Sequence, residues 1–307
     1  MPFLSRIFST DTSLRPALAC EITPEGVIAA RQSRGAVTMA FASLAADPLS
    51  PDIVRPGLAT PNFADPARVV AALRNALDEL EPRDKTLTLV VPDAAVRVLI
   101  LDFDSLPSKP QEALPIVRFR LRKLAPFEVD HAAVSYQVIR QTQSQARALV
   151  TLMPAPVRAE YEDAVRAAGY EPGVVLPSML ASLAALRSDD AALVVNRGGL
   201  TLTTAITNGN ELLLHRTLEL PASYAAQRAE LAQVISVASA YFEDTLNTAP
   251  NVLYYNGPGG AEEFAAALGP EMEAALQVRD LAPLPASGAV TALPKGFAAG
   301  VMGALAS

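Results

Sequence analysis

The sequence predicts an α/β protein of two related halves facing each other across a cleft, with a small α+β module inserted in the first half. Three observations predict it. Each half opens with a three-strand meander, helices and further strands follow each meander, and residues 104–172 interrupt the first half with a strand and helix set of their own. At 307 residues the chain has room for two domains, or for one domain with a large insertion.

Taken in order, Leu18 to Arg31 reads as two strands joined by the turn Thr23-Pro24-Glu25-Gly26, and Ala36 to Phe41 adds a third. Pro48, Pro51, Pro56, Pro61 and Pro66 make residues 47–66 an irregular connector. Asp65 then caps a helix that starts at Pro66 and repeats Val69, Val70, Leu73, Leu77 and Leu80 at helical spacing. Strands over 86–91 and 96–102 follow, apolar enough for a covered sheet. A helix over 109–124 carries Arg118, Arg120, Arg122 and Lys123, a basic face that reads as solvated surface or as an interface. After Ala125-Pro126-Phe127 come the strands AVSYQVIRQ and RALVTLMP, then a helix over 156–168 closed by Gly169, and a further helix over 177–186. The second half repeats the grammar. Strands over 192–195, 200–206 and 211–218 turn at Asn196-Arg197-Gly198-Gly199 and Asn208-Gly209-Asn210. A helix over 225–245, the strand NVLYYNG, a glycine-rich turn, a helix over 261–268 and a packed final helix in GFAAGVMGALAS complete it. The expected domains are therefore 1–104 with 173–190, the module 104–172, and 191–307.

Half of the residues are hydrophobic and 19% are charged, a balance that folds. No apolar run approaches the roughly 20 residues of a membrane span, and MPFLSRIFSTDTSLRP lacks the apolar stretch of a secretory signal, so a cytoplasmic protein without a span of its own is expected. The net charge of −7, without basic runs, argues against nucleic acid. The single cysteine, Cys20, excludes an intrachain disulfide and reads as buried, while His131 and His215 are isolated and read as structural, with no metal-ligand spacing.

Between residues 86 and 139, the segments LTLVVPDAAVRVLILDFDSLP and KLAPFEVDHAAVSYQVI carry Pro92-Asp93, Val96-Arg97, Pro126-Phe127 and Tyr136-Gln137-Val138 in order. That series resembles the type IV pilus assembly protein PilM family. The resemblance implies an actin-like (ribonuclease H-like) duplicated fold, a cytoplasmic position beneath the inner membrane, and a groove beside the inserted module. In that groove the family holds the N-terminal cytoplasmic peptide of PilN, a bitopic inner-membrane protein, and other pilus platform subunits are further expected partners. By position, Arg118, Arg122, Pro126 and Phe127 are the residues expected at the groove.

The resemblance also implies where a nucleotide would sit. Actin-like ATPases wrap phosphate with two hairpin turns whose backbone N–H groups face the ligand, helped by an acid that organises Mg²⁺. Here the first turn retains Glu21 and Gly26 but has Thr23 for the expected glycine, then Pro24 without an N–H, then Glu25, whose carboxylate repels a polyanion. In the second turn the acid becomes neutral Asn196, ahead of Arg197, Gly198, Gly199 and Thr201. Asn256-Gly257-Pro258-Gly259-Gly260 preserves the flexible turn on the nucleoside side. The expectation is a scaffold without turnover and without a cofactor. The alternatives are an active ATP- and Mg-binding protein using Glu21, Thr23, Gly26, Asn196, Arg197, Gly198, Gly199, Gly257, Gly259 and Gly260, or the cytoplasmic platform component of a type II secretion system.

Overall fold

Apolar strands with antiparallel neighbours on one side and parallel neighbours on the other build two sheets of the same design. A computed structural model describes residues 16–44, 53–188, 190–282 and 293–306. The first fifteen residues, Pro48 and Pro51, on which the leader and connector readings partly rest, lie outside them. In the first half, β1 (Leu18–Ile22), β2 (Gly26–Ser33) and β3 (Ala36–Ser43) form the meander, and β4 (Thr86–Val91) and β8 (Glu171–Pro177) extend it in parallel, giving the order β3-β2-β1-β4-β8. In the second half, β9 (Ala192–Gly198), β10 (Thr201–Asn208), β11 (Glu211–Glu219), β12 (Val252–Asn256) and β13 (Gln277–Asp280) give β11-β10-β9-β12-β13, again antiparallel in the meander and parallel beyond it. The duplication expected from the two meanders is present strand for strand.

Helix α1 (Pro66–Glu79) starts as the sequence predicts: the Asp65 carboxylate accepts the Arg68 N–H at 3.1 Å, and Val69, Ala72, Leu73, Ala76 and Leu77 form its buried face. Each Leu so buried contributes about 1.5–3 kcal/mol. Cys20 is buried in the core of the same half, as its apolar flanks predict.

Two expectations need correction, and three elements were not expected at all. Strand β5 (Arg97–Phe103) leaves the first sheet and pairs with β7 (Ala146–Met153), which pairs with β6 (Ala133–Gln141), so the module's sheet begins at Arg97 and not at 104. Helix α2 (Pro110–Leu121) covers that sheet with Ala113, Val117 and Leu121. Helix α3 (Ala155–Ala167), read as part of the module, instead packs Val157, Tyr161, Ala164 and Val165 into the first half's core, and Gly169 ends it at φ 91°. Strand β8, absent from the elements expected of the sequence, carries Pro172 and Gly173. An edge strand tolerates both, since proline's missing N–H costs no ladder bond on an open side. The four-residue β13 and helix α7 (Pro270–Ala275) likewise lack an apolar repeat long enough to read.

The remaining helices are α4 (Ser178–Leu183), α5 (Tyr224–Leu246), α6 (Gly260–Leu268) and α8 (Ala299–Ala306). The final helix exists as expected but does not serve the half it follows: Val301 and Ala304 pack with Ala19, Ile28 and Val90 of the first sheet. Its approach depends on two glycines. A Cβ at Gly303 would overlap the Ala181 carbonyl of α4, and one at Gly300 would overlap the Glu21 carboxylate. Gly303→Val is therefore expected to destabilise the fold by about 1–3 kcal/mol, the usual cost of forcing volume into a packed contact. Thermal unfolding measures it, and an unchanged midpoint would show that α8 docks elsewhere.

Candidate functional site

Glu21, near the end of the central strand β1, and Asn196, near the end of the central strand β9, are joined through Ser178. Glu21 on β1 lies in register with Val90 on β4, and Asn196 on β9 with Asn256 on β12. Asn196, expected in a turn, is a strand residue paired with Thr203, so the strand fixes the direction of its amide. The Asn196 Nδ2 group donates to Asp93 Oδ2 at 2.8 Å and to Ser178 Oγ at 3.0 Å, and its Oδ1 accepts from Asn256 Nδ2 at 2.7 Å. Ser178 Oγ donates onward to Glu21 Oε1 at 2.5 Å, the Met179 N–H donates to Asp93 Oδ1 at 2.9 Å, and the Ala299 N–H of α8 donates to Asn256 Oδ1 at 3.2 Å. One hydrogen-bonded chain thus joins both halves and the final helix. The sequence reading brought Glu21 and Asn196 to the cleft. It missed Ser178 and the role of Asp93, and placed Asn256 only in a glycine turn. Asp93 follows β4 as a polar residue in an apolar stretch, which was the one available signal.

Burial sets the protonation of these groups. It pushes the Glu21 carboxyl from 4.5 up to about 7; the Ser178 hydroxyl pulls the other way, and the Asp93 and Glu25 charges push it further up. The second oxygen, Oε2, is buried and without a hydrogen-bond partner, consistent with a carboxyl that holds its proton. Burial also raises Asp93, offset by the Met179 N–H and the Asn196 amide. Across the cleft, the Glu25 carboxylate accepts the Gly199 N–H at 2.9 Å, while burial raises its pKa and Arg197 lowers it.

In each of the three glycine turns at least one glycine N–H is engaged within the protein. The Gly26 N–H donates to Thr23 Oγ1 at 3.1 Å, the Gly199 N–H to Glu25, and the Gly257 N–H to the Gly296 carbonyl at 2.7 Å. Gly259 and Gly260, both at positive φ, begin α6, where the Ala261 N–H meets Asp280 Oδ1 at 2.8 Å. Arg197 is committed to Gln227 Oε1 at 3.1 Å. Gly198 lines the cleft, whose free space of about 20 Å³ among Glu21, Thr23, Asp93, Ser178 and Asn196 holds about one water. Among the described residues no group of three or more His, Cys, Asp or Glu side chains is placed to hold a metal ion.

No protein-family model matches the sequence, and no curated protein matches it. Solved structures do. A chain of the PilM-PilN type IV pilus biogenesis complex superposes with a TM-score of 0.69 at 20% identity, over 90% of this chain and 90% of that one. A Bacteroides thetaiotaomicron protein of unknown function with an actin-like ATPase fold gives 0.51 at 10% identity, covering 98% of this chain and 100% of its own. The chain has the actin-like fold. The cytoplasmic domain of EpsL, an inner-membrane component of the type II secretion system of Vibrio cholerae, gives 0.50 at 11% identity, over 94% of this chain and 92% of that domain. In this actin-like frame the Glu21 to Asn256 chain lies between the halves, at the ends of the central strands.

Two of the residues expected to receive a peptide serve the module itself. The Arg118 guanidinium donates to the Val129 carbonyl at 2.6 Å and the Ala132 carbonyl at 3.1 Å, and Arg122 pairs with Asp130 at 2.8 Å, so both fasten the 122–132 loop to α2. Phe127 packs against the module's core and Pro126 is exposed beside it. An open groove lies between edge strand β3 and α1. It measures about 360 Å³ and is lined by Phe41, Ala42, Ser43, Arg68, Ala71 and Asn75.

The folded protein holds the Glu21 proton to a higher pH than the unfolded chain does. Between pH 4.5 and about 7 the native state binds more protons, so stability falls as pH rises through that window and levels off above it. Glu21→Gln, which leaves an acceptor for Ser178, is expected to be more stable than wild type at pH 8 by up to about 3 kcal/mol and equal to it at pH 4. Denaturant unfolding at the two pH values checks this, and a pH-independent difference would contradict a buried, protonated Glu21. Asn196→Asp places a carboxylate against Asp93 and is expected to cost about 3 kcal/mol at pH 8, less on acidification.

Proposed function

We propose that the protein is a non-catalytic, PilM-like scaffold of type IV pilus assembly, cytoplasmic and held at the inner membrane, which binds an extended N-terminal peptide of a PilN-like bitopic membrane protein and contacts further platform subunits. The likeness to a chain of the PilM-PilN complex supports the assignment, and the state of the cleft carries the non-catalytic part of it. A phosphate cradle works through free backbone N–H groups. Here Gly26, Gly199 and Gly257 each donate to a group of the protein, and Glu25 sets a carboxylate where a polyanion would have to enter. Among the described residues no helix is long and apolar enough to cross a membrane, so a bitopic partner supplies the anchor in this reading.

The groove beside β3 suits the peptide. Among the described residues no strand pairs with the outer edge of β3, which leaves a row of its backbone donors and acceptors for an added strand, and the groove's volume lies within the ~300–1,000 Å³ typical of ligand sites. Backbone pairing supplies affinity, and Phe41, Arg68 and Asn75 are placed to read side chains. The cytoplasmic platform component of a type II secretion system is the second reading, supported by the likeness to the EpsL domain at the lower TM-score.

A synthetic peptide copying the N-terminal residues of the PilN-like protein from the same organism is expected to bind with a Kd of about 1–10 μM. Ala71→Trp, an exposed position on α1 that fills the groove, is expected to weaken binding about tenfold without changing stability. Absence of binding by folded wild-type protein removes the partner assignment, and undiminished binding by Ala71→Trp moves the site. Mg-ATP is expected to leave the thermal midpoint unchanged and to yield no phosphate. A clear upward shift with hydrolysis would restore the ATPase reading.

A further inference from the structure

Helix α2 buries Ala113, Val117 and Leu121 and turns its opposite side outward. On the outward surface of the helix stand Ile116 at 40% exposure and Phe119 at 64%, and Leu124, 44% exposed, stands in the turn that follows it. Six large hydrophobic side chains are exposed among the described residues, and these three fall within nine positions of one another. Arg120 and Lys123 are interleaved with them: positions 116, 119, 120 and 123 follow the i, i+3, i+4, i+7 spacing of one helical face. Neither Arg120 nor Lys123 has a carboxylate within ion-pair distance among the described residues, whereas the other cations nearby are satisfied, Lys109 by Glu112, Arg122 by Asp130 and Arg118 by two carbonyls. Four cations against one carboxylate over 110–124 make this stretch positive on a chain of net charge −7.

We infer that this ridge is a contact site for an anionic bilayer surface. Three features favour lipid over a protein partner. The ridge is the outer surface of a single helix, with Phe119 its most exposed side chain. Its cations, without an ion-pair partner among the described residues, stand at helical spacing from Ile116 and Phe119, a pattern in which Lys and Arg reach headgroups while apolar side chains enter the acyl boundary. The helix is also rigidly presented, since Arg118 and Arg122 bind its C-terminal turn to the module loop and leave only the outward residues free. Phe119 contributes by burial of apolar area and the two cations by attraction to negative headgroups, so neither alone holds the protein firmly. This site is separate from the peptide groove at β3.

Co-sedimentation of the full chain with phosphatidylglycerol/phosphatidylethanolamine vesicles tests it, with phosphatidylcholine vesicles as the comparison. Wild-type protein is expected to pellet with the anionic vesicles only, and less as salt is raised. Phe119→Ser and the double variant Arg120→Ser/Lys123→Ser are each expected to lower partition about tenfold, with peptide binding at the β3 groove unchanged. Failure of the wild type to pellet, equal pelleting with phosphatidylcholine, or undiminished pelleting of both variants overturns the inference. A wild-type dimer in lipid-free solution that Phe119→Ser dissociates assigns the ridge to a second copy instead, and overturns it as well.

Discussion

The amide of Asn196 is the point on which the rest of the molecule depends. It has two donors and an acceptor, and the fold supplies two acceptors, Asp93 and Ser178, and one donor, Asn256, at distances of 2.7–3.0 Å. Those partners belong to the turn after β4, the start of α4 and the end of β12, so a single side chain links the two halves to each other. Through Ser178 and Asn256 the link reaches Glu21 and the backbone of α8. A buried hydrogen bond to a charged group is worth about 1.5–3 kcal/mol, and stranding its partner costs as much again. A neutral amide is what this position requires: a carboxylate there would face Asp93 with like charge in a medium that screens it poorly.

That constraint shapes what the cleft can do. Two acids, Glu21 and Asp93, are deep enough that burial raises both, and Glu21 is sealed on its free oxygen by the close approach of Gly300. Of the glycine turns around them, the Gly26, Gly199 and Gly257 N–H groups point into the protein's own oxygen atoms. The cleft is thereby bridged from one half to the other by the protein's own side chains.

The inserted module adds surface without touching this arrangement. Its three-stranded sheet and α2 have a core of their own, and its loop is tied down by Arg118 and Arg122. What remains outward is the apolar and basic ridge of α2, while the first half exposes the edge of β3. The two lie on different elements, so a protein ligand and a membrane surface need not compete.

The sequence by itself determined the elements whose character is local. Alternation and turn residues marked both meanders, the 3.6-residue repeat with Asp65 and Pro66 marked α1, and the repeated order of strands and helices announced the duplication. It also brought Glu21 and Asn196 to the cleft, through the resemblance of their turns. Only the tertiary structure decided which sheet β5 joins, that β8 and β13 close the two edges, that α3 and α8 belong to the first half, and that Arg118 and Arg122 are engaged. It alone revealed Asp93 and Ser178, because their contacts with Asn196 and Glu21 span 103 and 157 residues of chain. Periodicity reports that a residue faces a core; it carries no information about which distant group will stand opposite, and that choice is made only when the sheets pack.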